Sequence, residues 1–181
     1  MSDHKPPTIR LATLEDIEAI KALMAVAIDT LQEGFLSPAQ IALSHRFMGL
    51  DTQLIRDGTY FIAEIDGAVA GCGGWSYRAT LYGGDASAVA REPVALDPGR
   101  DPARVRAMYT SPEFIRRGVG RAILQASEDA ARAAGFTTAE LMGTLAGVPL
   151  YERCGYRRVE AVTTEPVDGV SVPFERMTKS L

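Results

Sequence analysis

Cysteine is scarce in this chain: Cys72 and Cys154 are the only two in 181 residues. They stand far apart without paired spacing, so neither a disulfide framework nor a structural zinc site is supported. Histidine is equally rare, with His4 and His45 scattered, and no metal is expected. No apolar run approaches the roughly 18–20 residues that span a bilayer. The start, Met1-Ser2-Asp3-His4-Lys5-Pro6-Pro7, lacks the apolar core of a signal peptide. The expectations are a cytoplasmic protein and no membrane partner. An excess of positive charge is missing too. The net charge of −4 argues against the broad basic face of a nucleic-acid binder. What is present is ordinary for a soluble globular protein, 46% apolar and 23% charged residues, which excludes a disordered chain, a collagen-like repeat and a coiled coil. The length suits a single domain over residues 1–181, with its core at about 8–179.

Hydrophobic periodicity divides the chain into short elements. Thr8 to Ala12 reads as a strand, and Thr13 then caps a helix with Glu15 and Asp16 in its first turn. Leu14, Ile17, Leu23 (or Met24), Ile28 and Leu31 give that helix one apolar face. Ser37-Pro38-Ala39-Gln40 starts a second helix, expected to run to about Leu50. Tyr60 to Ile65 and Ala68 to Tyr77 are strands joined by the turn Asp66-Gly67. Gly71-Cys72-Gly73-Gly74 weakens the second of them but admits a close neighbour. Arg78 to Arg100 has no sustained period and is expected to be a long loop. Ala103 to Thr110 is a strand, Gly118 to Ala134 a helix stopped by Gly135, and Thr137 to Thr144 a strand. A short helix over Pro149 to Cys154 follows, then a hairpin of Tyr156 to Glu165 with Ser171 to Lys179. The fold class is α/β, a central mixed sheet flanked by about four helices.

The chemistry concentrates where the strand ending at Thr110 meets the helix starting near Gly118. Ile115-Arg116-Arg117-Gly118-Val119-Gly120-Arg121 joins them. A helix start leaves N–H groups unpaired under partial positive charge, and glycine lets a ligand approach them. This turn is an anion site suited to a pyrophosphate; its alternative is a plain helix start with solvent-facing arginines. It is not the dinucleotide fingerprint, because Ile123 stands where a third glycine would be. It is not a Walker loop either, since no Gly-Lys-Ser or Gly-Lys-Thr follows.

This stretch resembles the GNAT superfamily of acyl-CoA-dependent acyltransferases, whose motif Gln/Arg-x-x-Gly-x-Gly/Ala is matched at Gly118 and Gly120, with Ile115 at the leading position. Leu150-Tyr151-Glu152-Arg153-Cys154-Gly155-Tyr156 is similar to the family's FYEKxGF turn. The hairpin from Phe61 to Trp75, with Gly67 and Gly71, is similar to its second and third strands. Thr144 stands where many members carry asparagine.

The resemblance implies acetyl-CoA as acyl donor and a small-molecule or peptide amine as acceptor, with direct attack in a ternary complex. It implies a cradle of Arg116, Arg117, Gly118, Val119, Gly120 and Arg121. The pantetheine arm would pair with Met108, Tyr109 and Thr110, and Thr144 would lie nearby. A backbone N–H near Met108 or Tyr109 would polarise the thioester carbonyl. Tyr151 is the expected general acid, a phenol still protonated at pH 7. Base candidates are Glu64, Glu113, Glu140 and His45, directly or through water. Trp75 is either core or acceptor lining. Family members are often dimers, and the C-terminal hairpin could pair across such an interface. The other readings are an acyl-CoA sensor without chemistry, another acyl group, or a hydroxyl acceptor.

Overall fold

The computed structural model describes residues 5–87 and 92–181. His4 and part of the long loop expected over 78–100 fall outside them. Seven strands form one sheet: β1 (Thr8–Leu11), β2 (Tyr60–Ile65), β3 (Ala68–Ser76), β4 (Ala103–Thr110), β5 (Thr138–Thr144), β6 (Arg157–Thr163) and β7 (Pro173–Ser180). Among the described residues the five α-helices are α1 (Ile17–Leu31), α2 (Pro38–Ser44), α3 (Thr52–Arg56), α4 (Val119–Ala133) and α5 (Val148–Arg153). Strand order is β1-β2-β3-β4-β5-β7-β6, antiparallel except between β4 and β5. Among the described residues no helix is long and apolar enough to cross a membrane.

Strand alternation places Tyr60 and Ile62 of β2 on one face, in a cluster with Ile20, Met24, Ala27 and Ile28 of α1. Ala63 takes the other face and joins Val119 and Ile123 of α4. The glycines of β3 serve this second layer. A Cβ on Gly71 would lie 2.5 Å from Val119 Cγ1, and one on Gly73 would lie 2.9 Å from Ile123 Cγ2. The close neighbour admitted by Gly71 and Gly73 is therefore α4.

The parallel pairing of β4 with β5 covers only Ala103↔Ala139 and Arg104↔Glu140. Beyond that point the strands part and open a wedge in the sheet. Glu140 sits at its apex, salt-bridged to Arg104 of β4 and, at 2.7 Å, to Arg176 of β7. Arg176 continues at 3.2 Å to Glu160 of β6. The ladder ties four strands together where the wedge begins.

The structure departs from the expected elements in two places. The second helix stops at Ser44 instead of Leu50, and Asp51 caps a separate α3 by accepting the Gln53 N–H at 3.0 Å. The segment after β3 is not an irregular loop throughout. Residues 77–80 pair back with 92–96 through Leu96 N–H to Tyr77 O (2.7 Å), Ala79 N–H to Val94 O (2.9 Å) and Thr80 N–H to Glu92 O (2.9 Å).

Candidate active site

A cavity of about 660 Å³ fills the wedge. One wall is β4 from Met108 to Thr110, another the start of α4, a third the start of α5, and α1 closes it with Ala27, Ile28 and Leu31. Every candidate cofactor residue lines it except Arg117. Arg117 lies over the Phe114 ring instead, with its guanidinium carbon 5.2 Å from the ring centre. Arg153, from the turn resembling FYEKxGF, also lines the cavity, as do Phe35 and the exposed Ile115.

The turn into α4 is built by local chemistry. The chain leaves β4 through a single helical turn over Pro112–Phe114, pinned by Ser111 N–H to Ala70 O at 2.9 Å. Arg116 (φ 63°) and Gly118 (φ 80°) then both take the left-handed region. The first ladder bond of α4 runs from Ala122 N–H to Gly118 O at 3.0 Å, and no side chain caps the helix start. Its leading N–H groups, at 119–121, are thus open to an anion beside Arg116 and Arg121. The two motif glycines do different work. Gly118 is required by its backbone angle, for a Cβ there would meet nothing within 4 Å; Gly120 has an ordinary angle, but its Cβ would come 2.8 Å from Leu150 Cδ2.

At the far end of the wedge the β4 backbone bulges. Cys72 pairs with Tyr109 but Gly74 with Arg106, so β4 carries an extra residue opposite Gly73, and Ala107 sits at φ 49°. Tyr60, fully buried, donates its O–H to Ala107 O at 2.6 Å, and Tyr109 Oη accepts the Gly49 N–H at 3.1 Å. These two phenols fix the bulge.

Tyr151 faces this point from α5. Its ring lies over backbone that must be bare: a Cβ on Gly147 would be 3.0 Å, and one on Gly143 3.3 Å, from ring carbons. Thr144 holds the turn between them by accepting the Gly147 N–H on Oγ1 at 3.1 Å. Tyr156 packs edge-on at 6.0 Å. Burial, with a smaller contribution from Cys154, pushes the Tyr151 phenol up to about 12.

A second, smaller cavity of about 70 Å³ adjoins the first. Met48, Met108, Tyr109, Thr144 and Tyr151 line both, so the two spaces meet around the phenol. The base candidates lie elsewhere. Glu64 pairs with Arg10, Glu140 with Arg104 and Arg176, and His45 with Asp29, while Glu113 is exposed; none lines either cavity. Trp75 is core, edge-on to Phe136 at 5.8 Å.

Residues 21–156 match the sequence model of the Acetyltransferase (GNAT) family. The chain belongs to the GNAT family. No curated protein sequence matches it, but solved structures share its GNAT fold. A GCN5-related N-acetyltransferase from Rhodopseudomonas palustris superposes with a TM-score of 0.72 at 19% identity, over 100% of this chain and 99% of that one. PaiA N-acetyltransferase of Thermoplasma acidophilum, solved with coenzyme A, gives 0.65 at 14% identity over 98% and 100%. YncA of Salmonella typhimurium, solved with acetyl-CoA, gives 0.63 at 17% over 97% and 94%. At these identities the likeness is one of fold.

Sequence reasoning missed the GNAT wedge's α1 wall. Ala27, Ile28 and Leu31 occupy the helix's apolar face, and that pattern alone does not separate a cavity lining from core. The small cavity was missed as well, because Phe47, Tyr82 and Phe174 reach it from three segments without a shared motif.

Proposed function

We propose that this GNAT protein transfers an acetyl group from acetyl-CoA to a primary amine by direct attack in a ternary complex. The observation that carries the reading is Tyr151 at the junction of two cavities, one of which begins at the uncapped N-terminus of α4. The residues fit the donor. The open N–H groups of α4, Arg116 and Arg121 suit its diphosphate, and bare Gly120 lets Leu150 pack against the helix start beside the cavity that both line. The bulged backbone near Met108 would donate to the thioester oxygen as charge gathers there.

In the reaction an amine nitrogen–carbon bond forms, the carbon–sulfur bond breaks, and one amine proton is lost. The sulfur leaves as a thiolate that ends as a thiol. A phenol at about 12 holds its proton more tightly than a thiol titrating near 8.5. Tyr151 therefore acts by donating a charge-assisted hydrogen bond to the departing sulfur, while the amine supplies the proton that the thiol keeps. The test is release of free thiol from acetyl-CoA in the presence of primary amines, with acetylated amine identified by mass. Coenzyme A binding without release on any amine would leave the sensor reading in its place.

A further inference from the structure

Resting on the acetyl-transfer reading above, the geometry points to the acceptor class: we propose a compact primary monoamine with an apolar body, seated in the small cavity against Tyr82 and Phe174. This cavity shares Tyr151, Tyr109 and Met108 with the cofactor wedge, so the amine nitrogen would meet the thioester at the shared residues. Phe47, Leu81, Tyr82, Met142 and Phe174 give it apolar and aromatic side chains, while Arg106, Thr144 and the phenols of Tyr109 and Tyr151 supply its polar groups. Tyr82 and Phe174 pack with ring centres 5.8 Å apart at a tilt of 36°. Such walls recognise carbon by excluding water from it. The volume of about 70 Å³ suits a short chain or the edge of one ring, not a long polar substrate.

The wall is also held in place. Arg106, only 3% exposed, donates to Gly83 O at 2.7 Å and to Thr80 O at 3.1 Å, bracketing Tyr82, and pairs with Asp51 at 3.1 Å. Asp85 N–H closes the same loop onto Leu50 O at 2.8 Å. Arg106 is the charged residue lining this cavity among the described ones. Asp51 compensates that charge, and no carboxylate among the described residues lines the cavity, so a second ammonium on the acceptor would lose its water with no partner to replace it.

A homologous series tests the proposal on the full-length protein with saturating acetyl-CoA, reading kcat/KM for thiol release. From methylamine to butylamine each added methylene should raise kcat/KM about fourfold, the factor equivalent to roughly 0.8 kcal/mol per buried CH₂. Butylamine should exceed putrescine, its equal in length but with a second ammonium, by at least about tenfold. Y82E should cut this preference and raise KM for butylamine while leaving KM for acetyl-CoA unchanged. Putrescine or spermidine outperforming butylamine would overturn the acceptor class and leave acetyl transfer standing. A flat series from methylamine to butylamine would overturn it too. Coenzyme A binding with no release on any amine would instead remove the transfer reading, and this inference with it.

Discussion

Tyr151 is positioned by glycine on both sides, and its hydroxyl makes no hydrogen bond to any described residue. Removing that hydroxyl costs the fold little and the reaction much. Y151F should lower kcat by about 10²–10³, the usual range for a lost hydrogen-bond donor to developing charge, while coenzyme A affinity by calorimetry stays nearly intact. Unchanged turnover would remove the assignment. Gly120 separates binding from folding in the other direction. G120A places a methyl group against the flexible end of Leu150, which can shift, in a helix where alanine is favoured by about 1 kcal/mol. The urea midpoint should hold or rise, while Kd for coenzyme A should increase about tenfold as Leu150, displaced by the added Cβ, moves into the cavity that it lines. A loss of stability with unaltered affinity would contradict the cradle. At this scale the motif was legible, because Gly118, Gly120 and Tyr151 sit at fixed spacings. Arg117 shows the limit: its neighbours Arg116 and Gly118 both turn left-handed, so adjacent arginines point to different places.

The elements that matter most are those that break their own regularity. β4 pairs with β5 for two residues, then bulges at Ala107, and both departures open the wedge. A left-handed alanine is strained by about 1–3 kcal/mol and persists only when its surroundings hold it. Tyr60 is the main holder, so Y60F should lower stability by about 1–3 kcal/mol through the unpaired Ala107 carbonyl. Turnover should fall further than the loss of folded protein explains, because the bulge also aims the backbone at the thioester. Equal kcat per folded molecule would separate the bulge from the chemistry. None of this was readable in Ala103 to Thr110, a plain strand pattern with no glycine to mark a bulge. The α2 boundary failed for a related reason. Phe47 and Leu50 are buried and continue the apolar pattern, while the chain itself turns at Gly49 (φ 137°) and restarts at Asp51. The hairpin of β6 and β7 was visible in its alternation, whereas the insertion of β7 beside β5 depends on long-range pairing that no local pattern encodes.

Across the whole molecule, titratable groups buried in neutral form outweigh the others and set how stability changes with pH. Burial raises the phenols of Tyr60, Tyr109, Tyr151 and Tyr156, and lifts the Cys72 thiol to about 12. In the unfolded chain the thiol titrates near 8.5 and the phenols near 10. Between those values and the folded ones, the unfolded chain has lost protons that the folded chain keeps. Stability is therefore complete below about pH 8.5 and falls as pH rises, by about 1.4 kcal/mol per pH unit for each group titrating. Several phenols titrating together above pH 10 should exhaust the 5–15 kcal/mol typical of a domain. On the acid side Arg10 holds Asp16 down to about 2, and Arg78 lowers Asp57. Their contribution is present above about pH 4 and disappears as pH falls toward 2. Both acid pairs are partly solvated, so the acid limb should be shallow and the alkaline limb steep. Urea midpoints measured from about pH 2 to pH 11 should rise gently to about pH 4, hold to about pH 8.5 and drop sharply above about pH 10. The tyrosinate absorbance of these four phenols, of six tyrosines in the chain, should appear together with loss of the far-UV signal, since they ionise only when the core opens. Tyrosinate from more than two of the six tyrosines near pH 10 in a protein that stays folded would mean that water reaches the buried phenols and that Tyr151 stands in no dry junction.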